Sequence, residues 1–132
     1  MTDVRVAPAV QGFWLAVGIT LVAFIVWGSL TPHPPDVDIT IPDFDKIEHF
    51  GAYLMLTAWF SAALPRHWRW VALTFAVLGG LIEILQGYTG RDPEWSDWLA
   101  DCIGVVAGAW YPARWALAAR LWLARRYDYV RA

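Results

Sequence analysis

Gly12 to Leu30 is a run of nineteen residues without a charged side chain, and no other feature constrains the fold as tightly. A helix of ~20 apolar residues matches the hydrocarbon thickness of a bilayer. Three more apolar runs follow, each bounded by proline or by a charged loop. Of the 132 residues 58% are hydrophobic and 17% charged, with 10 Trp and a mean hydropathy of +0.41. Soluble domains carry about a quarter charged residues. The surplus apolar residues gather in the runs, so one integral membrane domain over 1–132 is expected, without a separate soluble domain. The first run exceeds the ~7–15 apolar residues of a signal peptide core. Ser29-Leu30-Thr31-Pro32 is no small-x-small cleavage site, so this run is expected to be a retained helix.

The spacing predicts an all-α fold: a four-transmembrane-helix bundle with spans at about 12–30, 45–64, 69–88 and 96–112. A C-terminal amphipathic, Arg-rich helical extension over 113–132 would be cytoplasmic or lie along the membrane surface. Pro32, Pro34 and Pro35 stop the first helix, because proline lacks an N–H and restricts the residue before it. Asp43 or Asp45 is a candidate cap for the second helix, and Ser96 or Asp97 for the fourth. Trp68 and Trp70 suit an interfacial belt. Gly104 and Gly108 continue a stripe begun by Asp97 and Asp101, and small residues four apart let helices approach closely. Arg114, Arg120, Arg125, Arg126 and Arg131 are expected to face anionic headgroups. Cations concentrate at Arg5, Arg66, Arg69 and the C-terminal segment, which puts both termini in the cytoplasm and the acidic loops outside. Net charge is −2 and carries little weight, and no nucleic-acid partner is expected. Cys102, the single cysteine, reads as a small apolar residue of a helix.

Polar residues cluster where the acidic loops meet the apolar runs. Asp45, His49 and Tyr53 recur at i, i+4, i+8 on one helical face, with Lys46 three before His49. Glu83 and Gln86 close the third span on the same side. Arg91 lies in the next loop, and Asp97 and Asp101 open the fourth helix. Ionisable groups inside a membrane protein point by default to function.

Three chemistries fit these residues. In the first, Lys46 and Arg91 grip an anionic headgroup, Arg with its planar fork, and helix N-termini at Asp45 and Asp97 add N–H donors. In the second, His49 is a general base and Glu83 a general acid, with Asp101 in the same catalytic set. In the third, His49 and the carboxylates bind a divalent ion. The metal reading ranks lowest, since catalytic zinc favours His-rich or Cys-rich sets and no His pair at i, i+3 or i, i+4 exists; neither a metal nor a cofactor is expected. Plainer roles compete. Lys46, Glu48, Asp92 and Glu94 read as solvated charges, Tyr53 as a packed residue with a bonded hydroxyl, and Asp97 as a helix cap. His49, Glu83, Gln86 and Asp101 alternatively form a polar network that only pins the bundle.

At these residues the chain resembles the VanZ-like family of small bacterial membrane proteins. The matching pieces are Asp45-Lys46-x-x-His49-Phe50-x-x-Tyr53-x-x-Leu56, Glu83-x-x-Gln86, Arg91, and Ser96-Asp97-x-x-x-Asp101 followed by Gly104 and Gly108. They cover about 45 to 108 in the family's order and spacing. One position departs: Asp101 stands where the family usually has Asn. That adds a negative charge, which biases the site toward a cationic partner, a metal, or a proton on Asp101. The family's namesake is associated with low-level resistance to teicoplanin, a lipoglycopeptide acting at the outer face of the cytoplasmic membrane. The resemblance therefore implies a multi-pass protein of the bacterial inner membrane whose ligand comes from the outer leaflet, as a phospholipid headgroup or a lipid-linked cell-wall precursor. A lipid hydrolase or transferase and a non-catalytic accessory subunit remain as alternatives, and the oligomeric state is left open.

Overall fold

A computed structural model of the chain describes residues 7–32, 43–110 and 112–131. The side chains of 112, 113 and 128–131 fall outside that description, as do Arg5 and most of the Pro- and Asp-rich first loop. The described residues are helical, in the order α1 Pro8–Leu30, α2 Phe44–Ala63, a single 3-10 turn Pro65–His67, α3 Trp68–Gln86, α4 Trp95–Trp110 and α5 Pro112–Arg131. Among them there is no strand.

Proline punctuates this order as its chemistry requires. Pro8 occupies the first turn of α1, where its missing N–H leaves no bond unmade. Leu64 and Pro65 end α2, and α3 starts three residues later. Two expected caps do not form. Asp43 precedes α2 in a left-handed conformation and its side chain makes no capping bond. The fourth helix already begins at Trp95, so Ser96 and Asp97 lie inside its first turn, and the Ser96 hydroxyl turns to Glu94 at 3.2 Å.

Helices α2 and α4 run parallel and make the closest pair in the fold. A Cβ on Gly104 would strike the Phe50 carbonyl, and one on Gly108 the Leu54 carbonyl. Two backbones therefore touch along one seam, which only glycine permits. Helices α1 and α3 run the opposite way. The shared core is Tyr53, Leu56, Val71, Phe75 and Val105. A second cluster fastens α1 to α2: Trp14 and Trp59 stack with centroids 3.9 Å apart. Each indole N–H donates to the other residue's carbonyl, at 3.1 and 2.9 Å.

The C-terminal helix is not a detached extension. Ala116, Leu117 and Leu123 of α5 pack on Trp14, Ala62 and Ala63. Arg120, expected to face headgroups, is buried at 7% exposure. Its guanidinium donates to the Ala62 carbonyl at 3.0 Å and to the Gln11 side-chain oxygen. Arg114, Arg125 and Arg126 are exposed.

The distribution of polarity inverts the usual one. Glu83, Gln86, Asp97 and Asp101 are buried, while Phe24, Trp27, Leu81, Ile84, Val106 and Trp110 are more than half exposed. Helix α1 and the stretch Pro65–Gln86 are long and apolar enough to cross a membrane, and only 17% and 28% of their apolar windows are buried. The core helix of a soluble protein would be mostly covered. Helix α2 carries Asp45, Lys46 and Glu48 in its first turns, and α4 has only 16 residues.

Candidate functional site

The end of α1, the start of α2, the end of α3 and the start of α4 meet at one pole of the bundle. Asp45, Lys46, His49, Tyr53, Glu83, Gln86, Arg91, Asp97 and Asp101 all lie there. The parallel α2–α4 seam sets the central pair. His49 lies one turn below the mouth of α2, Asp101 one turn below the mouth of α4, and glycine contact brings them within reach. His49 Nδ1 and Asp101 Oδ1 are 2.9 Å apart. Asp101 is 1% exposed, and its other oxygen lies where a Cβ on Gly79 would sit. The missing side chain at position 79 thus makes room for the carboxylate.

Across the ring, His49 Nε2 faces Asp97 Oδ2 at 3.8 Å. Glu83 joins from α3. One of its oxygens accepts the Glu94 backbone N–H at 3.0 Å, which ties the loop between α3 and α4 to the site. The other, Oε1, is buried without a hydrogen-bond partner among the described residues, although Glu83 is only 2% exposed. A ligand atom each from His49, Glu83 and Asp97 can be chosen so that all three lie within 4.8 Å of one another. The Tyr53 hydroxyl, one turn deeper on α2, also lacks a partner there, so the bonded hydroxyl expected for it is not found.

Lys46 departs from both roles the sequence suggests for it. Its ammonium lies 3.3 Å from Asp45 and Glu94 and 3.5 Å from Asp43 and Asp97. Four carboxylates around one cation leave it neither a plain solvated charge nor a free grip for an anion. It joins the mouths of α2 and α4. Gln86 and Arg91 likewise serve the frame. Gln86 Nε2 and Arg91 Nη1 both donate to the Ser29 carbonyl at 3.0 Å, satisfying the open C-terminal end of α1. Gln86 is therefore turned toward α1 rather than toward His49.

A cavity of about 350 Å³ opens beside this cluster, between α1 and α2. Asp45, Glu48, His49, Tyr53 and Arg91 are polar residues of its lining, and Phe24, Ile25 and Ala52 apolar ones. Asp45, His49 and Tyr53 line it together, as their four-residue spacing requires. Among the described residues Arg91 is the one permanent cation in this lining. A second cavity, about 460 Å³, lies near the opposite pole and is lined mainly by apolar residues such as Ala72, Val106 and Leu117. Arg114 is the one charged side chain among its described lining residues.

Sequence reasoning missed the Ser29 carbonyl and the backbone N–H of Glu94. Both are main-chain groups in segments with no motif of their own, and only the folded chain shows them. No protein-family model matches the chain, and no curated protein or solved structure is significantly similar to it.

Proposed function

We propose that the chain is a multi-pass inner-membrane protein whose cavity between α1 and α2 binds the headgroup of a membrane lipid or of a lipid-linked envelope precursor. The observation that carries this reading is the mixed lining of the cavity: apolar Phe24, Ile25 and Ala52 stand beside polar Asp45, Glu48, His49, Tyr53 and Arg91. That is the mixture an amphiphile needs, apolar for its tail and polar for its headgroup. The exposed apolar surface of the helices supports immersion in lipid. Four spans follow if α2 and α4 cross as well. The 16 residues of α4 cover about 24 Å, short of the ~30 Å hydrocarbon core, so a local thinning of the bilayer around it would bring exposed Trp95 and Trp110 at its two ends to the headgroup level. With the Arg-rich segments inside, the polar pole opens to the outer leaflet, which agrees with what a VanZ-like chain implies.

Native mass spectrometry of the full chain, extracted in mild detergent, tests the proposal. Lipid should remain bound, and both Arg91→Ala and Ala52→Trp should release it. The second variant fills the cavity and leaves the Arg91–Ser29 bond intact. Wild-type protein without lipid, or lipid retained in both variants, would overturn it.

A second reading is favoured by the His49–Asp101 bond. A carboxylate on Nδ1 orients a histidine so that Nε2 can take a proton from a nucleophile. In this reading His49 is the base and Glu83 the acid of a lipid hydrolase or transferase. His49→Ala should then abolish turnover in folded protein. In a purely accessory subunit the same change lowers the melting temperature and nothing else.

A further inference from the structure

We propose that His49, Glu83 and Asp97 bind a divalent transition-metal ion, Zn2+ or Mn2+, and that Asp101 positions the imidazole for it. The proposal does not require a lipid in the neighbouring cavity.

The geometry begins at the ring. With an ionised Asp101 Oδ1 at 2.9 Å, the tautomer that carries its proton on Nδ1 donates there, and in that neutral tautomer Nε2 keeps its lone pair. That lone pair faces a carboxylate oxygen of Asp97 at 3.8 Å. Two electron-rich atoms so placed repel unless a proton or a metal ion stands between them. A carboxylate behind a metal-binding histidine is the usual outer support of such a site, fixing the tautomer and raising the basicity of the ligand. Glu83 supplies an independent sign. Its Oε1 is buried and unpartnered among the described residues, a costly state for a carboxylate oxygen. The three residues come from α2, α3 and α4, and the chosen ligand atoms lie within 4.8 Å of one another. At metal–ligand lengths of about 2.0–2.2 Å, the ligand atoms of a tetrahedral ion lie about 3.3–3.6 Å apart. Drawing the set in from 4.8 Å takes side-chain movement of up to about 1.5 Å.

One imidazole with two carboxylates suits Zn2+ or Mn2+ better than Ca2+, which prefers six or more oxygens. The sequence ranked a metal last because it lacks a histidine pair; the folded chain replaces the second histidine with carboxylates from two other helices. A neighbouring acidic group, Asp45, Glu94 and Asp97, also comes within ligand spacing. Lys46 already sits among its oxygens at 3.3 to 3.5 Å, so an ammonium already occupies that group.

Chelator-treated full-length protein in detergent, titrated with MnCl2 by electron paramagnetic resonance and with ZnCl2 by calorimetry, provides the test. One ion should bind per chain. Glu83→Gln should weaken binding by about 100-fold or more, beyond the 10–100-fold that loss of an outer support such as Asp101→Leu produces. Glu94→Gln, in the Lys46 group, should change affinity by no more than about twofold, as expected of an exposed charge. If Glu83→Gln does not fold, Asp97→Asn takes its place. Absence of saturable binding to the wild type, or equal binding by the Glu83 or Asp97 variant, would overturn the proposal and leave His49 as an imidazolium between two aspartates.

Discussion

Individual side chains at the polar pole are held by very unequal means. Asp101 is fully enclosed and answers one ring nitrogen, so its removal leaves an N–H inside the protein without an acceptor. Asp101→Leu should therefore lower stability by about 1–3 kcal/mol, the range for an orphaned buried donor, read as a fall in melting temperature in detergent. Lys46 is the opposite case, a partly exposed cation among four acids. Lys46→Met should destabilise the mouth of α2 and α4 through repulsion between the acids left behind. Because salt screens such repulsion over about 10 Å at 0.1 M, the lost melting temperature should be largely restored in 1 M NaCl. A loss that salt does not touch would show that the lysine stem, not its charge, matters. The local spacing put Lys46 near His49 but could not say that four carboxylates from two segments would surround it.

Helix packing rests on glycine at the α2–α4 seam and on a buried arginine at α5. Overpacking usually costs about 1–3 kcal/mol, and at Gly104 and Gly108 the obstacle is main chain that cannot rotate away. Gly104→Val should reach the upper end of that range or beyond and should also separate His49 from Asp101. Gly51, on α2, has open space around it. Gly51→Ala should stabilise by about 0.5–1 kcal/mol, since alanine restricts the unfolded chain. Opposite signs for two glycine substitutions, measured by thermal unfolding, check the seam directly. The glycine stripe was legible in the sequence because its four-residue period shares a face with Asp97 and Asp101. The role of Arg120 was not. In an amphipathic segment rich in arginine nothing local distinguishes the one that turns inward to Ala62 and Gln11 from those that remain exposed. Arg120→Met should loosen α5 and raise proteolysis beyond Trp110.

Across the whole molecule, among the described side chains, the acidic groups gather at one pole, with Glu83, Asp97 and Asp101 buried there, while Arg66, Arg69, Arg114, Arg125 and Arg126 are exposed elsewhere and large apolar side chains face outward. In the four-span reading Gly90 and Arg126 lie on opposite sides of the membrane. Single cysteines placed there in a Cys102→Ser background should be labelled by an impermeant maleimide from opposite faces of intact and inverted vesicles. Labelling of both from one face would reject the topology. The sequence by itself determined the helical runs and their limits, because proline and charge act through neighbouring bonds and every apolar run must be covered by something. It also determined that the ionisable residues fall at corresponding ends of those runs. Which of them meet was decided by the tertiary structure: Asp101 rather than Glu83 on His49, acids rather than an anion around Lys46, Gln86 and Arg91 on the end of α1. Several pairings satisfy the same spacing along the chain, and the choice among them depends on the rotation and closeness of two parallel helices, which exist only once the backbones are in contact.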